Sequence, residues 1–253
     1  MPDRDAILQA LITLSRRVGD PNLDCAILGE GNTSARASEE TFWVKASGKE
    51  LRTADAATFV EVDFERVLTI LEMGDLSDEG IKSALLGAKT MPDDPLRPSV
   101  ETIMHALALT LGGASFVAHT HPTSVNSILC SQKAEEAFAG RLFPDEIVIC
   151  GVAPVYIPYT DPGVSLAREF KEGLLAYRET YGEPPKVVLI QNHGLVALGG
   201  TAQEAENVTT MMDKAARILL GTYALGGPHF LSQSQVNRLH TRPDEAYRRQ
   251  LLR

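Results

Sequence analysis

Cysteine is scarce in this chain, and its three copies lie far apart: Cys25, Cys130 and Cys150 form no CxxC or other close pair. That speaks against a disulfide framework and against a zinc ribbon. Cys130 and Cys150 fall in apolar stretches and are expected to be small buried hydrophobes rather than nucleophiles. No apolar run approaches the ~20 residues that a helix needs to cross a bilayer. A basic surplus is lacking too. The formal net charge is −9, which argues against nucleic acid as a partner, since neutralising phosphates takes clustered Lys and Arg. An anionic small molecule is still admissible, but its site must be local. The opening residues MPDRDAILQA lack the basic stretch and cleavage site of a secretion signal. A cytoplasmic protein without a membrane partner is therefore expected. Internal repeats and low-complexity segments are missing as well.

What is present is an ordinary globular composition, 44% apolar and 23% charged over 253 residues. This length suits one α/β domain, and no linker marks a boundary, so a single domain over 1–253 is expected. Ile7, Leu8, Leu11, Ile12 and Val18 recur at helical spacing and stop at Gly19. Phe42–Val44, Phe59–Val62, Phe116–Ala118, Ile147–Ile149, Val155–Ile157, Lys186–Ile190 and Leu195–Leu198 read as strands. Between them lie an interrupted helical stretch from Asp63 to about Pro98, a helix capped by Ser99 that runs to about Leu111, and helices from Thr123 and after Gly163. Capping boxes, Thr201 with Glu204 and Ser232 with Gln235, open two further helices. The tail beyond about Gly226 is expected to pack on a neighbouring subunit. Strands interleaved with helices, without a strict βαβ rhythm, imply an α/β domain with a mixed sheet.

Histidine carries the chemistry. In His119-Thr120-His121, residues i and i+2 of an extended chain project to one side, so two imidazoles can share an ion. His193 ends another apolar strand beside Gly194. Three imidazoles with an open fourth position make a catalytic metal arrangement; the alternative is partly buried histidines bonded to backbone. Glu101 stands in the first turn of the helix opened by Ser99, where it either steadies a helix end or faces the metal. His105, four residues on, either orients that carboxylate or is a satisfied core histidine. His229 and His240 are expected to be solvated. Gly29-Glu30-Gly31-Asn32-Thr33-Ser34 and Lys45-Ala46-Ser47-Gly48-Lys49 are either anion-binding nests or ordinary turns. Neither is a Walker loop or a dinucleotide fingerprint.

In order, GNTSAR, KASGKEL, PSVETIMH, AHTHPTS and QNHGLVALG resemble the class II aldolase/adducin family, of the fuculose-phosphate and rhamnulose-phosphate aldolase type, from about Leu28 to Leu220. The resemblance implies a three-layer α/β/α fold with a central, largely antiparallel sheet, and a homotetramer with sites at subunit interfaces. It implies Zn2+ or another divalent metal on His119, His121 and His193, Glu101 as the catalytic carboxylate, and Asn32, Ser47, Gly48 and Ser99 around a substrate phosphate. Val100 departs from the pattern, standing where members often carry a second serine. A tyrosine acid that some members take from a neighbouring subunit has no secure match, Tyr156 and Tyr159 being candidates by proximity alone. The segment between Lys49 and Pro98 is longer than in compact members. The activity implied is reversible cleavage of a ketose 1-phosphate to dihydroxyacetone phosphate and an aldehyde, through an enediolate stabilised by the metal. Epimerases, dehydratases and decarboxylases share the resemblance, and an adducin-like binding module is the non-enzymatic alternative.

Overall fold

A computed structural model describes residues 3–74 and 76–251, so the expected domain over 1–253 runs beyond the described residues at both ends. The chain begins with helix α1 (Arg4–Val18), which Asp3 caps and Gly19 ends, as its apolar spacing predicts. Strands β1 (Asn32–Arg36), β2 (Thr41–Lys45) and β3 (Phe59–Asp63) follow, then helices α2 (Phe64–Thr69), α3 (Asp78–Gly87) and α4 (Thr102–Thr110). Next come β4 (Phe116–Thr120), α5 (Thr123–Leu129), α6 (Ala134–Ala137), α7 (Pro144–Cys150), β5 (Val155–Ile157) and α8 (Val164–Tyr181). The chain closes with β6 (Val187–Ile190), β7 (Gly194–Gly199), α9 (Ala202–Tyr223), α10 (Gln233–Thr241) and α11 (Pro243–Leu251).

All seven strands form one sheet in the order β3-β2-β1-β4-β7-β6-β5. Every neighbouring pair is antiparallel except β5 with β6. Alternate strand residues feed two apolar clusters. Val117, Val188, Val196 and Leu198 join one, with Leu85, Leu107 and Phe170 of α3, α4 and α8. Phe116, Val187, Leu195 and Ala197 join the other, with Leu14, Val125 and Met212 of α1, α5 and α9. Two covered faces explain why these strands read as continuous apolar runs.

Three local expectations need correction. Ile147–Ile149 is helical, within α7: Pro144 occupies its first position, Asp145 and Glu146 its first turn, and Gly151 at φ 78° ends it. Those signals outweigh the β-branched run, because Pro pre-sets helical φ and acids favour a helix start. Secondly, α4 starts at Thr102 and Glu101 is its cap residue, while Ser99 sits in a preceding turn closed by Thr102 N–H on the Ser99 carbonyl at 3.0 Å. Thirdly, Asn32–Arg36 is strand rather than loop, buried at the centre of the sheet. The tail packs on its own chain. Phe230 lies against Gly140, Val236 of α10 enters the core, and Arg248 of α11 pairs with Asp145 of α7.

Candidate metal centre

Sheet register assembles the site. Asn32 of β1 stands opposite His119 of β4, and His119 stands opposite Val196 of β7. His121 follows as β4 ends, its N–H bonded to the Cys25 carbonyl at 2.8 Å. His193 lies in the turn between β6 and β7, after Asn192 at φ 54°. Asn126 of α5 donates its side-chain amide to the His193 carbonyl at 2.9 Å and holds that turn. The three imidazoles meet edge to face, with ring centroids 4.9, 4.9 and 5.4 Å apart.

Two glycines make this convergence sterically possible. A Cβ on Gly194 would lie 2.6 Å from both His121 Cδ2 and the Thr120 carbonyl oxygen. Gly31, at φ +65°, approaches so closely that a Cβ would meet the His119 carbonyl oxygen at 2.7 Å. Only a residue without a side chain fits either contact.

The donor set fits a divalent cation. One ligand nitrogen from each of His119, His121 and His193 lies within 4.8 Å of the others. The His119 Nδ1–H donates to the Leu195 carbonyl at 3.0 Å, which leaves Nε2 as the ligand atom. His121 turns Nδ1 to Glu30 Oε2 at 3.3 Å, and its Nε2 faces His119 Nε2 at 3.2 Å. Burial, then His119 and His193, pushes the His121 imidazole down to about 3, so the ring is neutral and its Nε2 lone pair is free for a metal.

Glu101 closes the arrangement. Its Oε1 lies 3.4 Å from His119 Nε2 and 3.0 Å from His193 Nε2. Burial pushes Glu101 up, but His119 and then His193 outweigh it and hold the carboxyl well below its usual range. His119 moves the other way: burial lowers it, and the Glu101 charge more than compensates. Each group thus favours charge on the other, and a cation among the imidazoles would supply the positive charge that Glu101 faces.

The segments expected to bind an anion do adjoin. Ala46 bridges Pro98, the Ser47 N–H bonds the Arg97 carbonyl at 2.8 Å, and Gly29 packs on Gly48. Buried Lys45 ties both loops, donating to the Gly29 carbonyl at 3.0 Å and the Lys49 carbonyl at 2.5 Å. Burial lowers that lysine, while Glu101 and Glu50 oppose the shift. Ser47 and Gly48 are exposed, and the Ser99 hydroxyl accepts from Glu101 N–H at 3.3 Å. Asn32 is placed differently from Ser47, being buried and bonded through its amide to Glu101. Sequence reasoning did not pick out Glu30 or Lys45, although each lies inside a segment it singled out.

Other candidates lie apart from the imidazoles of their own chain. Tyr159 gives its hydroxyl to Asp161 at 2.9 Å, and Tyr156 packs on the cluster that holds Leu14 and Met212. Cys130 is exposed, not buried: Ile128 and Leu129 turn inward, and Cys130 ends α5 at the rim of a cavity of about 450 Å³. Asp24, Glu30, His121 and Asn126 line that cavity too. Cys150 is buried as expected, and His229 is exposed. His240 is half-buried rather than solvated, because α10 packing brings it within 3.0 Å of Glu183.

Known proteins place this geometry. The chain is 31% identical over 187 residues to a methylthioribulose-1-phosphate dehydratase of Geobacillus kaustophilus, covering 70% of this chain and 74% of that protein. It is 28% identical over 208 residues to the uncharacterized oxidoreductase YuxG of Bacillus subtilis. That match covers 78% of this chain, which spans only 27% of the relative's length. Among solved structures, an L-fuculose 1-phosphate aldolase superposes with a TM-score of 0.68 at 17% identity, over 93% of this chain and 94% of that one. The model of the Class II Aldolase and Adducin N-terminal domain matches residues 9–220, and the chain belongs to that family.

Proposed function

We propose that the chain is a metal-dependent lyase that reversibly cleaves a ketose 1-phosphate, or a related sugar derivative, to dihydroxyacetone phosphate and an aldehyde. The observation that carries the proposal is a half-buried carboxylate oxygen, Glu101 Oε1, set beside the two imidazole nitrogens of His119 and His193. His119, His121 and His193 would hold a divalent cation, zinc being the first to test, which when bound supplies Lewis acidity at the substrate carbonyl.

The chain's own residues do the rest. Glu101, ionised in the resting site, is the base that removes a proton from the substrate carbon in the condensing direction. In cleavage, the C–C bond breaks, its electron pair passes to the carbon next to the carbonyl, and Glu101, which first takes up a proton from water, delivers it there. The hydroxyl on the departing carbon loses its proton as the aldehyde forms, to a base that Glu101 does not replace. Ser47, Gly48 and Ser99 would seat the phosphate, with Val100 removing one hydroxyl from that seat. A cytoplasmic homotetramer with helices on both sheet faces belongs to the same reading.

A second reading is dehydration, supported by the similarity to the Geobacillus dehydratase. There the same proton leaves, but the electron pair left on carbon expels the neighbouring hydroxyl, which takes a proton and departs as water, instead of attacking an aldehyde. The test is a panel of ketose 1-phosphates with metal-loaded and metal-stripped protein. Aldehyde release that chelation abolishes supports the lyase, and a product lighter by one water moves the assignment to a dehydratase. Stereochemical scrambling without aldehyde marks an epimerase. Protein that binds no metal and turns over nothing is an adducin-like module. Glu101→Gln is expected to keep its metal while turnover falls about 10²–10⁴-fold.

A further inference from the structure

His105 and Ser34 are wholly buried, and the reaction above gives neither a task. The His105 ring spends both nitrogens on side chains. Nδ1 lies 2.6 Å from the Ser34 hydroxyl, and Nε2 meets Asn32 Oδ1. Asn32 in turn donates its Nδ2–H to Glu101 Oε2 at 2.6 Å.

The direction of every bond follows from the last one. A carboxylate only accepts, so Asn32 presents its NH2 to Glu101 and its carbonyl to His105. His105 Nε2 therefore carries the proton, Nδ1 is bare, and the Ser34 hydroxyl donates to it. Burial, then His119, pushes this imidazole down to about 3, in keeping with a neutral ring that has one N–H. Ser34 to His105 to Asn32 to Glu101 is thus a line of donors pointing one way, each polarising the next. A core histidine that needs only satisfaction can use a backbone carbonyl, as His119 does with Leu195. Here the line ends on the carboxylate oxygen that does not face the imidazoles.

We infer that His105, with Ser34 and Asn32, is a positioning element that pins Glu101 Oε2 and so selects Oε1 as the oxygen that moves the proton. The inference rests on the reading of Glu101 as the proton carrier. It also gives the Asn32 amide a task apart from the phosphate, with one Nδ2–H on Glu101 and Oδ1 on His105.

Three variants test it. His105→Phe removes the donor, His105→Gln can restore an N–H to Asn32, and Asn32→Asp keeps the shape while replacing the donor to Glu101 with a second carboxylate. Crystal structures of all three, loaded with zinc, read the Glu101 rotamer; kinetics on the substrate that wild type turns over best read kcat and KM separately. In H105F and N32D, Glu101 is expected to leave its wild-type rotamer. Their kcat should fall about 10–100-fold, with KM and zinc content nearly unchanged. H105Q should recover the rotamer and most of kcat. An unmoved Glu101 with wild-type kcat in folded, zinc-loaded H105F overturns the inference, and N32D decides in the same way where H105F does not fold. A raised KM at constant kcat in N32D returns Asn32 to the substrate anion and overturns it too. If wild type turns over no ketose phosphate, the lyase reading fails by itself, while the rotamer comparison still decides the positioning element.

Discussion

Asn32 and Ser47 lie at one end of the same sheet, yet one is 3% exposed with its amide bonded at both ends, and the other stands in an exposed loop. The same contrast separates the two halves of the site. The imidazole half hangs on strand register and on close approaches that only glycine permits. The loop half consists of turns around Ser47, Gly48 and Ser99, joined by a few backbone bonds and by Lys45. Chemistry that needs fixed geometry sits on the rigid element. In the proposed reading, recognition of the substrate's far end would sit where the chain can change without disturbing the sheet.

That contrast can be broken from either side. His119→Ala should have the largest effect: metal retained after dialysis drops to below about a tenth of wild type, measured by elemental analysis, because a bidentate remnant binds weakly. Gly194→Ala is expected to come next. Its Cβ would lie 2.6 Å from an imidazole carbon and from a carbonyl, so overpacking should cost about 1–3 kcal/mol in a denaturant titration and weaken metal binding as well. Glu30→Gln keeps the shape but loses the charge beside His121, and about tenfold weaker metal affinity is expected from a chelator competition. The smallest change belongs to the loop half: Ser47→Ala should leave metal content and melting temperature alone and raise KM by about 3–10-fold, the loss of about one hydrogen bond. A Ser47→Ala protein that loses metal would show that the two halves are coupled.

How far the sequence carried can be seen in the same places. The strands holding His119 and preceding His193 were legible because both sheet faces are covered, so their apolar runs are unbroken. β1 was not, since Asn32 and Ser34 put polar groups on a face where a strand usually carries apolar ones. Those groups are satisfied by His105 and Glu101, which no one-dimensional pattern reveals. The reverse error fell on Ile147–Ile149, where β-branched residues hid a helix that Pro144 and Gly151 delimit. His105 was read both ways, as a core histidine and as a partner of Glu101. It is buried like the first and acts on the carboxylate through Asn32 like the second.

The parentage of the three imidazoles has one further consequence. His119 and His121 come from the end of β4, whereas His193 comes from the turn before β7, and these strands lie side by side only in the folded sheet. All of α5 to α8, β5 and β6 intervene along the chain. A cation held by the three is therefore a clasp on a long loop, absent from the unfolded chain, and its binding energy is folding energy. With such a cation bound, the melting point would become a reading of free metal, stability rising by about 1.4 kcal/mol for each tenfold excess over Kd.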